Sequence, residues 1–391
     1  MSIPRHCPNP ECRNFHHPQK GWYYHCGSYE TIAHGSVQRY RCKTCGKTLS
    51  RQTFSIHYYT KRRLDLRRVF TRLRGGASIR DIAREHGVSR TAVTTAVFRL
   101  GRQAMAAQAL LTQGWYHPGS VAFDGLVSFV ASQDFPCHLT VAVDAEAEFI
   151  LSVVHAVVRR GGRLRPSQRI RRDAKELVWR PRGGAFRASI SLLVEELGRY
   201  YRYAAVGGAW SIHTDEHPVY RHVLAHDSAV GFYRQAGLFR HTRTPGSAPR
   251  TVHNPLFPVN YVDMLLRHRM KEHTRETIAF GRHAVHQMHR AWIFSYDHNY
   301  VQPRRVKAGE RSVCRAVAVG IDEGEIEQVR RRFFRDRLDL RECPLPDSSA
   351  KVWMGELESP PVRWRSGQKV ARRSNLPRFA LRDLLGGQQF R

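Results

Sequence analysis

The stretch Val121-Ala122-Phe123-Asp124 decides the fold, because it is a short run of β-prone apolar residues that ends on a carboxylate. Residues 139–143 form a second apolar run of this type, and residues 148–154 form a third. The segment Asp144-Ala145-Glu146-Ala147 between them is typical of a hairpin turn. Short β-prone runs separated by turn residues predict neighbouring strands of one sheet.

Two further carboxylates follow in the same part of the chain. Asp215 comes directly after a predicted short strand at residues 210–214, and Asp263 lies early in a helical segment that begins at Pro258. Residues 188–203 carry the apolar stripe of a helix before this second strand. The order of strand with Asp, hairpin, helix, strand with Asp and helix with an acid is that of an RNase H-like core. The sequence therefore predicts an α/β fold class, with a mixed sheet flanked by helices.

Three carboxylates brought together in this way predict a site for divalent metal ions. Asp124, Asp215 and Asp263 are the candidate catalytic residues and ligands, because Mg²⁺ prefers oxygen ligands. Two such ions about 3.5–4 Å apart can activate a water or a 3′-hydroxyl and stabilise the leaving oxygen of a phosphoryl transfer. Arg267 and Lys271 fall on the predicted helix face of Asp263, so they are candidate DNA contacts that hold phosphates.

The cysteines near the N-terminus form two close pairs. Cys7 and Cys12 are followed, about 30 residues later, by Cys42 and Cys45. This is the layout of a zinc ribbon, in which four thiolates close a tetrahedral structural Zn²⁺ site. Cys26 is left over and is predicted to be a half-buried free thiol.

Residues 77–97 fit a helix-turn-helix. Ser78 is a predicted helix N-cap, with Asp81 three residues later, and Ser89 is the predicted N-cap of the second helix. Gly87 allows a sharp turn between the two helices. The second helix is predicted to enter a major groove of DNA. The residues expected to contact DNA there are Arg90, Thr91, Thr94 and Thr95.

The charge of the chain restricts its partners. Its 391 residues include 64 Lys and Arg against 33 Asp and Glu, a formal net charge of +31. This excess favours a polyanion, with nucleic acid ahead of an anionic membrane surface, and disfavours an ordinary enzyme of small-molecule metabolism. No apolar run approaches the roughly 18 residues of a transmembrane helix. The N-terminus also lacks the apolar core of a signal peptide, so we expect a cytoplasmic protein without a membrane partner.

These features divide the chain into four predicted regions. They are a zinc ribbon at 1–55, a helix-turn-helix domain at 60–110, an RNase H-like catalytic domain at 118–303 and a C-terminal region of unknown role at 304–391. Residues 159–184 are rich in Arg and Gly. They are interpreted as a basic insertion, either a solvated loop that faces nucleic acid or an unstructured linker.

Five segments resemble bacterial insertion-sequence transposases of the DDE type, and the insertion-sequence-one-like group among them. They are VQRYRCKTCGKTLSRQTFS from Val37, VAFDG from Val121, HTDEHPVY from His213, NPLFPVNYVDMLLRHRMKEHTRETIAF from Asn254 and HNYVQPRR from His298. The resemblance implies a nucleoid-associated enzyme that cuts and rejoins transposon ends with Mg²⁺ or Mn²⁺. It also implies double-stranded DNA as partner, both transposon ends and target, and a homo-oligomer on that DNA. Asp124 and Asp215 match the first two metal-binding acids of the family.

The third acid has two candidate positions. Most such enzymes carry Glu there, whereas the carboxylate on the predicted helix face is Asp263, one methylene shorter. Counting back from residues 275–278 places Asn260 at this position instead, one helical turn earlier. A neutral amide would then replace the carboxylate, and the copy would be inactive or slow.

Two rival functions follow from the same features. An inactive or domesticated copy would act as a sequence-specific DNA-binding regulator, and an enzyme without strand transfer would be a structure-specific nuclease. A usable third acid favours an enzyme over the regulator.

Two further sets of polar residues are interpreted as structural or solvated. The spacing of His283, His286 and His289 favours a solvated or DNA-facing helix surface over a metal site. Three other acids near the predicted site are interpreted as surface or supporting groups, namely Asp144, Glu148 and Glu216.

Overall fold

The computed structural model describes residues 4–117, 119–201, 209–274, 279–305, 312–338, 340–341 and 343–361. These residues form a mixed α/β structure, as the sequence predicts. In chain order its strands and helices are β1 (Tyr23–Thr31), β2 (Gly35–Cys42), β3 (Thr48–Ser50), α1 (Leu66–Arg74), α2 (Ile79–Glu85), α3 (Arg90–Leu111), β4 (Val121–Phe129), β5 (Pro136–Asp144), β6 (Ile150–Val157), α4 (Pro166–Glu176), α5 (Ala185–Tyr201), β7 (Trp210–Asp215), α6 (Pro218–His226), α7 (Ser228–Gln235), β8 (Phe239–Thr244), α8 (Phe257–Arg269), α9 (Ala284–Tyr296), α10 (Arg315–Ala318), α11 (Glu323–Phe333) and α12 (Asp347–Met354).

The N-terminal strands β1, β2 and β3 form a small antiparallel sheet with a core of its own. That core contains three of the predicted metal-binding cysteines together with Trp22, Tyr40 and Leu49. So few apolar side chains bury too little surface to hold a fold alone, so a bound metal would supply much of its folding free energy.

Helices α1, α2 and α3 begin at side-chain caps. The Asp65 carboxylate accepts from the Arg67 and Arg68 backbone N–H groups, Ser78 caps α2, and Ser89 caps α3. Gly87, which follows α2, has a φ of +60° that suits glycine. Two turns of α3 are largely exposed, whereas its second half is buried against α9. The core therefore continues through α3 from the N-terminal helices into the central sheet.

The central sheet has five strands in the order β6-β5-β4-β7-β8. Strands β4, β5 and β6 are antiparallel neighbours, whereas β7 runs parallel to β4 and β8 parallel to β7. Helix α5 packs on β6, and α8 packs on β4 and β5. This is the mixed sheet flanked by helices that the sequence predicts.

The Arg-rich stretch 159–184 is neither a loop nor an unstructured linker throughout, since it contains α4. This helix buries none of its own side chains, so it lacks the apolar stripe that marks a helix in a sequence. Ion pairs hold it in place instead. The Asp134 carboxylate, 3% exposed, receives Arg160 at 2.6 Å and the Lys175 ammonium.

A turn of π-helix at Asp297–Val301 contacts both the N-terminal helices and α8, the helix that carries the candidate residue Asp263. The buried Asp297 carboxylate lies 3.4 Å from Arg74 of α1 and 3.2 Å from Arg269 of α8. Asn299 accepts a hydrogen bond from the Ile150 backbone N–H at 2.9 Å. The segment HNYVQPRR from His298, part of the resemblance above, thus has a structural role in this chain.

The described part of the C-terminal region packs onto the rest of the chain. Gln103 of α3 donates to the carbonyls of Phe333 and Asp336 at 2.8 Å. Arg337 donates to the Thr53 carbonyl at 2.7 Å, beside the small N-terminal sheet. No helix among the described residues has the length and apolarity needed to cross a membrane.

We expect Gly101→Ala to destabilise the protein by about 1–3 kcal/mol, although alanine is the better helix former by about 1 kcal/mol. A Cβ at this position would lie 2.4 Å from His289 Nδ1, so α3 and α9 would be forced apart. Urea unfolding followed by circular dichroism measures the change. The control is Gly231→Ala in α7, where no atom lies within 4 Å and a gain of up to about 1 kcal/mol is expected. A gain at both positions would contradict close packing between α3 and α9.

Candidate functional site

The four predicted zinc ligands lie together. One ligand atom from each of Cys7, Cys12, Cys42 and Cys45 falls within 4.8 Å of the others. The Sγ atoms of Cys7 and Cys45 are 3.4 Å apart, and those of Cys12 and Cys42 are 3.7 Å apart. Tetrahedral zinc with Zn–S bonds of about 2.3 Å requires sulfurs about 3.8 Å apart. The cluster therefore fits one structural Zn²⁺, and four protein sulfurs leave no position for a substrate.

Backbone geometry and burial both act on the cysteines of the cluster. Gly46, at a φ of +69°, turns the chain after Cys45 so that its N–H donates to the Cys42 carbonyl at 3.0 Å. Burial raises the pKa of the Cys7 thiol. Burial has the same effect at Cys42, but the backbone N–H groups of Cys45 and Thr44 lower the pKa of this thiol to about 7. Cys26 is half-buried and outside the cluster, as predicted.

The three predicted carboxylates come from three neighbouring elements. Asp124 lies within β4, not at its end, because the strand continues to Phe129. Asp215 is the last residue of β7, and Asp263 lies in the middle of α8. The parallel register pairs Ala122 of β4 with His213 of β7. Continued by two residues along both strands, the same register sets Asp124 level with Asp215.

Asp124 interacts electrostatically with each of the other two carboxylates. Burial, and then the charge of Asp215, raises the pKa of Asp124. Burial, and then the charge of Asp124, raises the pKa of Asp263 well above its ordinary value. Oδ1 of Asp263 is shielded from solvent and has no hydrogen-bond partner among the described residues. A buried carboxylate oxygen without a donor is costly, and a cation would relieve both the repulsion and the missing contact.

Backbone donors fix two of the carboxylates. The Gly125 N–H donates to Asp124 Oδ1 at 2.7 Å, and the His217 N–H donates to Asp215 Oδ1 at 2.8 Å. Gly125 also allows close packing beneath the site, since a Cβ there would lie 2.9 Å from the Tyr220 hydroxyl. Larger residues at this position would displace the strand that carries Asp124.

A cleft of about 1130 Å³ opens over Asp124 and Asp263. Asn260, the alternative third position, lines the same cleft, whereas Asp215 is not among its described lining residues. The cleft also contains cations that the sequence analysis did not single out. They are Arg171 and Lys175 of α4 and Arg250 from the segment before α8. Arg250 lowers the pKa of Asp124 and of Asp263, opposing burial, so its charge reaches both.

The two predicted phosphate contacts on α8 have different positions. Arg267 lines the carboxylate cleft, and its guanidinium donates to the His273 carbonyl at 2.8 Å. The prediction that Lys271 shares a helix face with Asp263 is wrong, because α8 ends at Arg269 and Lys271 begins a short 3₁₀ helix. Lys271 instead lines a second cleft. Residues 275–278, from which the Asn260 alternative was counted, lie outside the described part of the chain.

The structure agrees with some of the predictions for the remaining polar groups and contradicts others. Asp144 is not a surface group, since it is 4% exposed and lies 2.8 Å from His117 Nε2. Glu216 is exposed, and Glu148 pairs with Arg315 at 3.5 Å. His289 does not lie on a solvated surface, because it is fully buried, and burial lowers its pKa well below the ordinary value.

The predicted DNA-contacting residues lie at the start of α3. Arg90, Thr91 and Thr95 are exposed, and Thr94 is partly buried. The Thr94 and Thr95 hydroxyls donate to the carbonyls of Arg90 and Thr91 at 3.0 Å. Their oxygens can still accept hydrogen bonds, and their methyl groups can contact bases.

The chemistry of the site is inferred from its own residues, since no family model and no curated protein matches the chain. Carboxylates that repel one another offer oxygen ligands to a hard divalent cation. The arginines around them offer charge to an anion that enters the cleft. The arrangement suits a reaction at a phosphate group.

We expect Cys12→Ser to abolish the binding of one Zn²⁺ per chain, because three sulfurs with one hydroxyl bind zinc far more weakly than four thiolates. Cys26→Ser is the matched control and should retain the metal. Elemental analysis of the purified protein measures zinc content, and limited proteolysis reports whether residues 1–55 remain folded. Equal zinc content in both variants would contradict the assignment of the ligands.

We expect Asp263→Asn to be more stable than the native chain by about 1 kcal/mol at pH 8. The folded-state pKa of Asp263 is raised by burial, so stability is lost as the pH rises above the ordinary carboxyl pKa, and the loss is complete once the pH exceeds the folded-state pKa. Below the ordinary carboxyl pKa both states are protonated, and the difference between the two proteins should vanish.

Thermal unfolding at pH 4 and pH 8 tests this sign, and Glu216→Gln, on an exposed acid, is the control. Mg²⁺ should raise the melting temperature of the native chain and not that of Asp263→Asn. Lower stability of Asp263→Asn at pH 8 would contradict the repulsion derived above.

Proposed function

We propose that this protein is a DDE-type insertion-sequence transposase. It binds the ends of its element and catalyses metal-dependent DNA strand cleavage and strand transfer. The observation that carries this proposal is that Asp124 and Asp263 line one cleft, with Asp215 at the end of the neighbouring strand β7. Arginines line the same cleft, as a polyanionic substrate requires.

The topology supports an RNase H-like catalytic domain. Three antiparallel strands are followed by α5 and then by β7, in the order that the sequence predicts, and by a further parallel strand, β8, that it does not. The acids occupy the first strand of the sheet, the fourth strand and the helix after the fifth. Polar side chains from three elements meet in this way where neighbouring strands β4 and β7 run in the same direction.

Asp124, Asp215 and Asp263 are the residues that would hold Mg²⁺ or Mn²⁺. When bound, such ions activate a water or a 3′-hydroxyl and stabilise the leaving oxygen. The oxygens of these acids are less closely grouped than the four sulfurs, since only the cysteines form a cluster within 4.8 Å among the described residues. The chain itself contributes Arg250 and Arg267, which would hold phosphates beside the acids.

The N-terminal half of the chain supports binding to double-stranded DNA. Helices α2 and α3, capped by Ser78 and Ser89, have the arrangement proposed for a helix-turn-helix, with Arg90 and Thr91 exposed at the start of the second helix. The zinc module lies in the same half, and the net charge of +31 favours contact with the DNA backbone. Cleavage of two ends in one reaction would require an oligomer of this chain on DNA.

An inactive copy that binds DNA as a regulator is the second candidate. The observation that favours it is the shorter acidic side chain, since the carboxylate of Asp263 reaches one methylene less far into the cleft than the carboxylate of a Glu would. Asn260 lines the same cleft and offers an amide oxygen without charge. The two candidates differ in cleavage and share DNA binding.

We expect the protein to nick DNA that carries the ends of its own element in the presence of Mg²⁺ or Mn²⁺. Asp124→Ala and Asp263→Ala should each reduce the rate at least about a thousandfold, or about 4 kcal/mol of barrier, because each removes a charged metal ligand. Glu216→Ala, next to Asp215 and exposed, should cleave like the native chain. Gel separation of labelled ends measures the nicks, and a mobility shift in the same samples measures binding.

Three results would change this assignment. Tight binding without cleavage in either metal would favour the regulator. Cleavage that survives Asp263→Ala and is lost in Asn260→Ala would move the third ligand by one helical turn. Cleavage without joining of the ends to a target would favour a nuclease.

A further inference from the structure

A second cleft, of about 880 Å³, lies between the predicted helix-turn-helix and the segments on either side of residues 275–278. One wall is formed by α2 and the start of α3, including Arg80, Arg90 and Thr94. The opposite wall contains Lys271 and Arg282. The three acids of the carboxylate site do not line this second cleft, which has its own set of cations.

The charge of the second cleft is strongly positive. Glu272 is the only acid among its described lining residues, and it is buried and pairs with Arg290 at 3.2 Å. Lys271 and Arg282 are exposed, and neither has an ion-pair partner among the described residues. The cleft therefore suits a ligand with several negative charges along its length.

Two aromatic rings lie among these cations. Phe98 of α3 and Phe280 are both partly exposed and line the cleft. Phe98 is held edge-on by His286 at 4.8 Å between ring centroids, and Phe280 packs edge-on to Phe129 at 5.9 Å. Supported aromatic rings beside a row of cations form the surface on which unpaired bases stack while the phosphates are neutralised.

The size of the cleft and its aromatic rings favour one strand over two. At Gly76, which lines the cleft, the turn between α1 and α2 packs against the end of α8, since a Cβ on Gly76 would lie 3.2 Å from the Arg269 carbonyl oxygen. The volume lies within the range of about 300–1,000 Å³ that is usual for small-ligand clefts. A few nucleotides of one strand fit in such a space, and the rings of Phe98 and Phe280 can stack only on bases that are not already paired inside a duplex.

The second cleft adjoins the carboxylate cleft. Phe280 lines both, so a strand that passes Arg282 and Phe280 in the second cleft enters the cleft that Asp124 and Asp263 line. A strand on this route would pass from the start of α3 to the acids of the same chain.

We propose that the second cleft binds a single DNA strand and guides it from the helix-turn-helix face to the carboxylates. Its phosphates lie on Lys271 and Arg282, and one base stacks on Phe280. The direction toward cleavage rests on the proposed function, whereas the binding of a single strand does not. The route implies that the duplex opens near the cleavage site and that the chain which grips an end also receives its strand.

The test measures binding of a fluorescent 12-nucleotide single strand, and of the matching duplex, to the full-length protein over a range of salt concentrations. Phe280→Ala should weaken single-strand binding about tenfold, because one stacked base is lost. Arg282→Ala should reduce the slope of log affinity against log salt by about 0.7, the value for one phosphate contact on a single strand. Duplex affinity should change less than twofold in either variant.

Matched controls lie elsewhere on the surface. Phe232→Ala removes a phenyl ring that is 70% exposed on α7, and Arg331→Ala removes an exposed cation on α11. Neither should change single-strand binding. Phe280→Trp should retain it, which distinguishes stacking from a folding defect.

Photocrosslinking with 5-iodouracil in the strand should label Phe280. Unchanged single-strand affinity in both Phe280→Ala and Arg282→Ala, or an equal loss for strand and duplex, would overturn the inference. A chain that cuts its ends but shows this result keeps the proposed function and loses the strand route. A chain that never cuts but shows the expected losses keeps the route and loses the transposase assignment.

Discussion

Repulsion between neighbouring carboxylates is the constraint on which the rest of this structure depends. Asp124, Asp215 and Asp263 come from three elements far apart in sequence. In addition to burial, the charge of Asp215 raises the pKa of Asp124, and the charge of Asp124 raises the pKa of Asp263. Backbone donors hold two of them at defined positions, and arginines from outside the sheet reduce the cost. An arrangement that lowers stability persists where it serves a function, and a bound divalent cation, as proposed above, would offset this cost.

The long helix α3 makes the carboxylate site and the basic N-terminal surface parts of one body. Its first two turns present polar residues, and the rest is buried against α9 and the C-terminal helices. Asp297 adds a second connection, since it pairs with Arg74 of α1 and Arg269 of α8. DNA gripped at the start of α3 would therefore hold a fixed position relative to α8, as a cut at a defined distance requires.

The sequence predicted the features that depend on local spacing. Cysteine pairs, helix caps and the strand that ends on Asp215 follow from neighbouring residues, and the structure contains each, whereas the strand of Asp124 continues to Phe129. Features that depend on distant contacts were missed. Helix α4 has no apolar stripe, and ion pairs with Asp134 hold it in place. Asp144 is buried beside His117. Lys271 does not lie on the face of α8 because that helix ends before it. Arg250 lies in a loop, so its place in the cleft depends on the fold as a whole.

The positive charge of the chain has two uses that composition does not separate. Several arginines are buried and act on the protein itself: Arg99 donates to the Ile56 and Tyr58 carbonyls at 2.8 and 2.6 Å, and Arg337 reaches the Thr53 carbonyl. These groups stabilise connections between the N-terminal module and α3 and cannot meet a phosphate. The cations that line the two clefts can contact a ligand, because they face open space beside the acids or the aromatic rings. Net charge therefore indicates the class of partner, whereas burial decides which cations can contact it.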